Sequence, residues 1–154
     1  MCVCTVRIRL FQPGDQEQVR NLILEGLGEH FGRIDPTLNP DLDNINASYV
    51  QTGHLFVVVE SAGQIIGTGA LIHEEGNDGR IVRVSVAPAF RRTGLGQQLV
   101  EYLLQAARER QFGRVLVETN LDWYAAIRLY HRCGFREYAR DDESVHLSLI
   151  LRIS

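Results

Sequence analysis

The chain has little of what disulfide-bonded, membrane-spanning or polyanion-binding proteins need. It contains three cysteines, and an odd number argues against a disulfide framework and for a reducing, cytoplasmic location. The longest apolar run, Leu55 to Val59, is far too short to cross a bilayer. A net charge of -3 provides no basic field to collect nucleic acid or an anionic membrane. We therefore expect neither a membrane nor a nucleic acid as a partner.

Metal and secretion signals are equally sparse. Cys2 and Cys4 have no second pair at the spacing of a zinc site, so we expect no metal. The N-terminal segment has no small-residue cleavage site after an apolar stretch, which argues against a secretory signal. The 154 residues are 45% hydrophobic and 23% charged and contain no repeat or linker. They predict one compact domain over residues 1–154.

What the sequence does contain is an orderly succession of strand and helix signals. Alternating or continuous apolar segments predict strands at 5–11, 54–60, 65–74, 81–87, 114–119, 135–139 and 145–153. Helical spacing predicts a helix after Asp15, where Gln18 would complete a capping box, and further helices within 32–53, 94–113 and 123–132. The pattern predicts a mixed α/β fold: a mostly antiparallel sheet of about seven strands with four helices on its two faces.

One segment, VSVAPAFRRTGLGQQLVEYL (84–103), predicts an anion site. A helix that begins near Gly94 has N–H groups without intrahelical partners at the positive end of its dipole. Two glycines let a ligand approach the main chain, and Arg91 and Arg92 add positive charge. A P-loop would need Lys after Gly96, and a dinucleotide fingerprint would need glycine at Leu99. The pattern Arg/Gln-x-x-Gly-x-Gly/Ala fits instead.

Together with AAIRLYHRCGF (125–135), this loop resembles the GNAT superfamily of acyl-CoA-dependent N-acyltransferases. The second segment is similar to the family's A-x-x-L-Y-x-x-x-G-F, and the two motifs occur in the right order. The resemblance covers nearly the whole chain. It implies an enzyme, a GNAT-type N-acetyltransferase that moves an acetyl group from acetyl-CoA to a primary amine by direct attack in a ternary complex, without a metal.

The resemblance implies that main-chain groups make most of the contacts that bind the coenzyme. The pyrophosphate would be held by the backbone of Arg91, Arg92, Thr93, Gly94, Leu95 and Gly96, with Gln97 at the helix start. The pantetheine arm would lie along Val84, Ser85 and Val86, and the N–H of Val86 would polarise the thioester carbonyl. For the thioester to lie between them, strand 114–119 must run parallel to strand 81–87 and diverge from it.

Tyr130 matches the tyrosine of the second motif. The resemblance implies that it protonates the leaving thiolate, since a phenol keeps its proton at neutral pH; packing in the core is the alternative. Cys133 lies at the C-terminus of a helix, where the dipole disfavours a thiolate, so we expect no acyl-cysteine.

The general base is less well marked. Many family members carry a glutamate on the strand before the loop, where this chain has Arg80 and Arg83 and no acid. Glu118 is the better candidate, with a role in orienting the substrate as the alternative. A base acting through water from the segment 73–75 also stays open.

The resemblance places the acceptor amine near residues 26–52 and 138–146. The first segment carries four acids that would suit a cationic amine, namely Glu29, Asp35, Asp41 and Asp43. Two other functions stay open: a non-catalytic module that binds acyl-CoA for regulation, and a transferase with a different acyl donor. The family also leaves a homodimer open, with the alternating C-terminal strand as an exposed edge.

Overall fold

The computed structural model describes residues 6–32 and 38–151, with residues 30 and 31 described by their main chain alone. A seven-stranded sheet carries helices on both faces, which confirms the predicted fold class. The strands are β1 (Val6–Leu10), β2 (Leu55–Ser61), β3 (Gln64–His73), β4 (Asp78–Val86), β5 (Arg114–Asn120), β6 (Arg136–Arg140) and β7 (Ser144–Ile150). The helices are α1 (Gln16–Phe31), α2 (Leu95–Glu109), α3 (Tyr124–Arg132) and a short π-helical segment, Asn46–Val50.

The strands lie in the order β1-β2-β3-β4-β5-β7-β6. Neighbouring strands run antiparallel except β4 and β5, which run parallel because α2 connects them as a crossover. The sheet is therefore mixed and mostly antiparallel. Among the described residues, no helix combines the length and the apolar character needed to cross a membrane.

The apolar core on one face of the sheet lies under α2 and α3. Leu95, Leu99 and Leu103 recur every four residues along α2, and none is more than 4% exposed. They pack against inward-facing valines of the sheet such as Val57 and Val117. Burial of each leucine contributes roughly 2 kcal/mol, so these leucines hold α2 on the sheet.

The opposite face is covered by α1 and by the segment that follows it. Val19 and Ile23 of α1 share a core with Leu42, Ile45 and Phe56. The helix continues through its glycines without a break, although glycine is a poor helix former. Its C-cap is Gly32, whose φ of 77° lies in the left-handed region.

The start of α1 differs from the predicted capping box. The Asp15 carboxylate accepts hydrogen bonds from the Gln12 N–H (2.8 Å) and from the Arg9 guanidinium (2.8 and 2.9 Å). Gln18 is directed to the sheet, where its Oε1 accepts the N–H of Ile65 at 3.2 Å. The capping-box prediction was wrong because a guanidinium on β1 is the stronger partner for this carboxylate.

Candidate functional site

Strands β4 and β5 diverge after a short parallel ladder. The ladder joins residues 78–80 of β4 to residues 114–116 of β5 and extends no further along the described strands. Beyond it, β4 keeps its partners in β3, and β5 keeps its partners in β7. The divergence that we expected from the chemistry is therefore present, and a gap lies between the C-terminal halves of the two strands.

The loop before α2 presents a row of main-chain donors. The N–H of Gln98 donates to Gly94 O at 3.1 Å, whereas the N–H groups of Arg92 to Gln97 have no acceptor within the described part of the chain. Gly94 has a φ of 87°, and a Cβ there would meet no atom within 4 Å. Because the last three of these N–H groups open α2, the helix dipole adds to their positive potential. This is the geometry of an anion site.

Arg91 and Thr93 brace the loop. The N–H of Arg91 donates to Pro88 O (3.3 Å), so this residue does not join the row of free donors. Its guanidinium donates to Val86 O (3.1 Å) and to Glu29 Oε2 (2.7 Å). The hydroxyl of Thr93 donates to a main-chain carbonyl within the loop at 2.5 Å. Side-chain bonds therefore hold the loop in shape and leave its main chain for a ligand.

The second glycine of the motif has a different role from the first. A Cβ on Gly96 would lie 3.3 Å from Leu129 Cδ2 on α3. Its absence lets two helices approach closely, whereas we expected both glycines to admit a ligand. The side chain of Gln97 bonds along the helix to Glu101 (3.0 Å), so the N–H of Gln97, and not its side chain, is the group left available to an anion.

The register of β4 orients its polar groups. The N–H of Ala87 donates to β3 at 2.8 Å, so the neighbouring pair Val86 and Gly67 is of the non-hydrogen-bonded type. The N–H of Val86 therefore points away from β3, toward the gap, while the main-chain groups of Ser85 face β3. The side chains of Val84 and Val86 pack against the core beneath α2.

Tyr130 projects from α3 into the same core. It is 7% exposed and packs edge-on against Phe135, with ring centroids 5.5 Å apart. Burial, and after it the nearby Cys133, raises the pKa of Tyr130, so the phenol keeps its proton at neutral pH. Burial also raises the pKa of Cys133, which agrees with the expectation of no thiolate nucleophile there.

Glu118 lies on the opposite face of the sheet. Its neighbour Val117 packs with Tyr130, and side chains alternate along a strand. The Glu118 side chain is 50% exposed, and its Oε1 lies 3.6 Å from Nε2 of His146, which lies 3.2 Å from Oδ2 of Asp141. The ligand atoms of these three residues lie within 4.8 Å of one another, a spacing that a cation could bridge, although exposed acids are often this close without one.

Comparison with known proteins agrees with this geometry. A model of the Acetyltransferase (GNAT) family matches residues 17–135, most of the chain. The chain belongs to the GNAT family.

Curated relatives of this GNAT chain carry N-acetyltransferase names. It is 34% identical over 100 residues to an uncharacterized N-acetyltransferase, YjgM, of Escherichia coli, covering 63% of this chain and 60% of the relative. It is 36% identical over 110 residues to N-acetyltransferase 8 of Rattus norvegicus, covering 68% of this chain and 50% of the relative. The chain thus spans 50% to 60% of the length of these two relatives.

Solved structures show the same GNAT fold. An acetyltransferase of the GNAT family from Staphylococcus aureus Mu50 superposes with a TM-score of 0.84 at 23% identity, covering 92% of this chain and 98% of the other. A putative acetyltransferase from Salmonella typhimurium, described with its cofactor acetyl-CoA, superposes with a TM-score of 0.79 at 19% identity, covering 96% and 95%.

The acids within residues 26–52, which we expected to be available to a cationic amine, are mostly paired. Three of the four acids of the first segment already have an arginine partner: Glu29 with Arg91 (2.7 Å), Asp41 with Arg83 (2.6 Å) and Asp43 with Arg20 (3.5 Å). The fourth, Asp35, lies outside the described residues, as do Cys2 and Cys4. A cationic acceptor would therefore find these three charges compensated.

The segment 73–75 lies at the wrong end of the sheet to supply a base. His73 pairs with Gly79, which is part of the short ladder between β4 and β5. Gly79 precedes Ser85 by six residues, about 20 Å along an extended strand. A single water does not span that distance, so the segment 73–75 lies far from the strand end where we expect the thioester.

His146 is the residue of this region that sequence reasoning missed. It pairs directly with Glu118 across β5 and β7. Its signal in the sequence was weak, because it is one of two polar residues in the alternating strand VHLSLI. Only the register between the two strands shows that it lies beside Glu118.

Proposed function

We propose that this protein is an N-acetyltransferase that moves the acetyl group of acetyl-CoA to a primary amine. The observation that carries the proposal is a row of N–H groups at the start of α2, next to the gap between β4 and β5. These groups have no acceptor among the described residues. The names of the curated relatives and the similar fold of the Salmonella protein with acetyl-CoA support it.

The binding residues fit a diphosphate followed by an extended thioester arm. The N–H groups from Arg92 to Gln97 would hold the diphosphate, and the open space at Gly94 leaves room for its oxygens. Arg91 would brace this loop through its bond to Val86 O, which joins the diphosphate site to the end of β4. The arm would then lie in the gap along residues 84–86.

The catalytic residues would act from opposite faces of the sheet. The N–H of Val86 would donate to the thioester carbonyl, and a donor at a developing oxyanion contributes about 3–4 kcal/mol. On the face of Glu118, the carboxylate would take a proton from the attacking amine as the C–N bond forms. On the face of α3, Tyr130 would give its proton to sulfur as the C–S bond breaks.

The acceptor would approach over β5 and β7, where Glu118, Asp141 and His146 meet. Tyr138 borders the same surface, with its ring centroid 6.2 Å from that of His146. Two carboxylates and an aromatic ring favour a cationic amine over an anionic acceptor. The reacting form of the amine is neutral, so a proton acceptor on this surface also serves the chemistry.

The test combines calorimetry with a screen of amines. Acetyl-CoA should bind to the wild type, and Gly94→Asp should abolish binding because it places a carboxylate against the diphosphate. The control is Gly76→Asp, since Gly76 is also a left-handed glycine with open space at its Cβ but lies in the turn between β3 and β4. A panel of small amines, amino acids and peptides is then assayed for release of CoA thiol.

The outcomes separate the proposal from its rivals. Binding with thiol release on at least one amine supports an acetyltransferase. Binding without release across the whole panel identifies a non-catalytic module, and release only with a longer acyl-CoA identifies a different donor. Normal binding to Gly94→Asp would refute the assignment of the loop.

A further inference from the structure

A bulge interrupts β4 just before the residues that face the gap. The register between β3 and β4 shifts so that two residues of β4, Arg83 and Val84, lie opposite the single residue Gly69. Arg83 has a φ of 58°, in the left-handed region that residues other than glycine rarely adopt. The hydroxyl of the fully buried Thr68 donates to Arg83 O at 2.7 Å. The main chain of the bulge is thus held from β3.

The side chain of Arg83 is held by a second element, the segment 38–50. Its Nε and Nη2 donate to the two carboxylate oxygens of Asp41 at 3.0 and 2.6 Å, and Nη2 also donates to Asn39 Oδ1 at 3.1 Å. The hydroxyl of Tyr49 donates to the same carboxylate at 2.5 Å. A bidentate guanidinium fixes orientation as well as distance, so this contact sets the position of the segment relative to β4.

The ion pair is shielded and stays charged. The side chains of Arg83 and Asp41 are 21% and 29% exposed. Burial opposes ionisation of Asp41, but hydrogen bonds from Arg83 and Tyr49 outweigh it and lower the pKa of Asp41. Burial, and after it the hydrogen bond to Asp41, raises the pKa of Tyr49 to about 12. The three groups therefore form one fixed polar cluster across the ordinary pH range.

The segment 38–50 also makes contacts with α1. The side chain of Gln16 donates to Leu42 O (2.7 Å) and accepts the N–H of Ile45 (2.9 Å). Leu42, Ile45 and Tyr49 are buried in the core beneath α1. The segment is thus anchored to α1 by these contacts and to the bulge of β4 by Arg83.

We propose that Arg83 is a positioning residue that fastens the segment 38–50 to the strand that presents Val86 to the thioester. The segment packs on the same face of the sheet as Glu118, where it would form one wall of the acceptor site. The proposal rests on the function proposed above. After Asp78 at its start, β4 carries no acid, and it has arginine at 83. The cluster explains what an arginine does on a strand where many family members have a glutamate. Loss of the cluster would let the wall move relative to Val86, which would impair use of the amine more than binding of acetyl-CoA.

The test compares Arg83→Met, Asp41→Asn and the double variant with the wild type. The double variant removes both charges together, so it leaves no unpaired charge in a shielded site. The control is Arg114→Met, which removes the ion pair with Asp78 (2.7 Å) at the ladder between β4 and β5. Hydrogen exchange of residues 39–50, calorimetry with acetyl-CoA, and kcat and KM for an amine are measured in each.

We expect exchange in residues 39–50 to become at least about tenfold faster in all three variants and to stay unchanged in the control. The kcat/KM for the amine should fall about tenfold to a hundredfold, with binding of acetyl-CoA within about twofold of wild type. The two single changes should not be additive, because both break one contact.

Exchange at wild-type rates in the double variant would overturn the positioning role. So would an equal loss of amine use and acetyl-CoA binding. If the wild type releases no thiol with any amine, the proposed function fails. The exchange measurement then still decides whether Arg83 fastens the segment to β4.

Discussion

At the scale of single residues, Tyr130 combines burial with a raised pKa. Its phenol therefore stays protonated in the pH range of an assay and can give its proton to a thiolate. We predict that Tyr130→Phe lowers kcat about a hundredfold. The dissociation constant for acetyl-CoA should stay within about twofold, because a phenyl ring keeps the packing against Phe135. Single-turnover thiol release and calorimetry measure the two quantities.

The control for Tyr130 is Tyr102, a tyrosine that is 40% exposed on α2. Tyr102→Phe should change neither kcat nor binding. An unchanged kcat in Tyr130→Phe would reduce its role to packing in the core, which is the alternative that the sequence left open.

The pair Glu118 and His146 allows a test of the base. We predict that Glu118→Gln lowers kcat/KM for the amine about a hundredfold and changes the ascending limb of the pH profile, since a different group must then take the proton. His146→Gln should have a smaller effect, because it removes only a neighbour of the carboxylate. The measurement is kcat/KM from pH 5 to 10, with Glu143→Gln in the nearby turn as the control.

The reverse result would reassign the base. If Glu118→Gln keeps the wild-type profile while His146→Gln loses the ascending limb, His146 takes the proton. Asp141 would then orient it: Oδ1 is fixed by the N–H groups of Glu143 (2.9 Å) and Ser144 (2.8 Å), and Oδ2 holds the imidazole.

At the scale of elements, the start of α1 is tied to the first two strands by one arginine. Arg9 on β1 bonds to Asp15 and, at 2.6 Å, to Glu60 on β2. Hydrogen bonds from Arg9 lower the pKa of Asp15 against the opposing effect of burial. We predict that Asp15→Asn lowers the free energy of unfolding by about 1–3 kcal/mol at pH 7.

This effect should depend on pH in a defined direction. A carboxylate whose pKa is lower in the folded state stabilises the fold above its unfolded pKa, about 3.9 for aspartate. The stabilisation is lost as pH falls through the folded pKa, so wild type and variant should converge there. Urea unfolding between pH 7 and pH 2 measures this. Asp43→Asn is the control, since Asp43 is 63% exposed and 3.5 Å from Arg20; equal losses in both variants would contradict the prediction.

The elements themselves could be predicted because their signals are local. The four-residue spacing of Leu95, Leu99 and Leu103 fixed α2, and the run of β-branched residues fixed β5 to within one residue. The divergence of β4 and β5 followed from the chemistry expected of the loop. Each of these predictions depends on residues that are close together in the sequence or on a recognisable motif.

Contacts between distant residues could not be predicted in this way. Arg83 and Asp41 are 42 residues apart in sequence, and only packing of the segment 38–50 on the sheet brings them together. His146 reaches Glu118 through strand register, which one sequence does not reveal. The role of Gly96 likewise depends on Leu129 of a later helix. Tertiary packing therefore determined the details that sequence periodicity left open.

At the scale of the whole molecule, a short ladder joins two parts of the sheet. β1 to β4 form one part and β5 to β7 the other, and three residue pairs connect them. The core beneath α2 and α3 spans both parts, since it contains Val57 and Val59 from the first and Val115 and Val145 from the second. A ligand in the gap would contact both parts, so its binding should stabilise the folded state as a whole.

This gives a prediction for the thermal stability of the full chain. Acetyl-CoA at a free concentration of 100 times its dissociation constant should add about 2.7 kcal/mol to the free energy of unfolding, because it binds the folded state alone. For a chain of this length, that raises Tm by about 5–10 °C. The control ligand is pantetheine, which has no diphosphate. At the same concentration it should raise Tm much less, because the N–H groups at the start of α2 would have nothing to bind. Differential scanning calorimetry measures both, and equal shifts would mean that the gap alone, without the loop, accounts for binding.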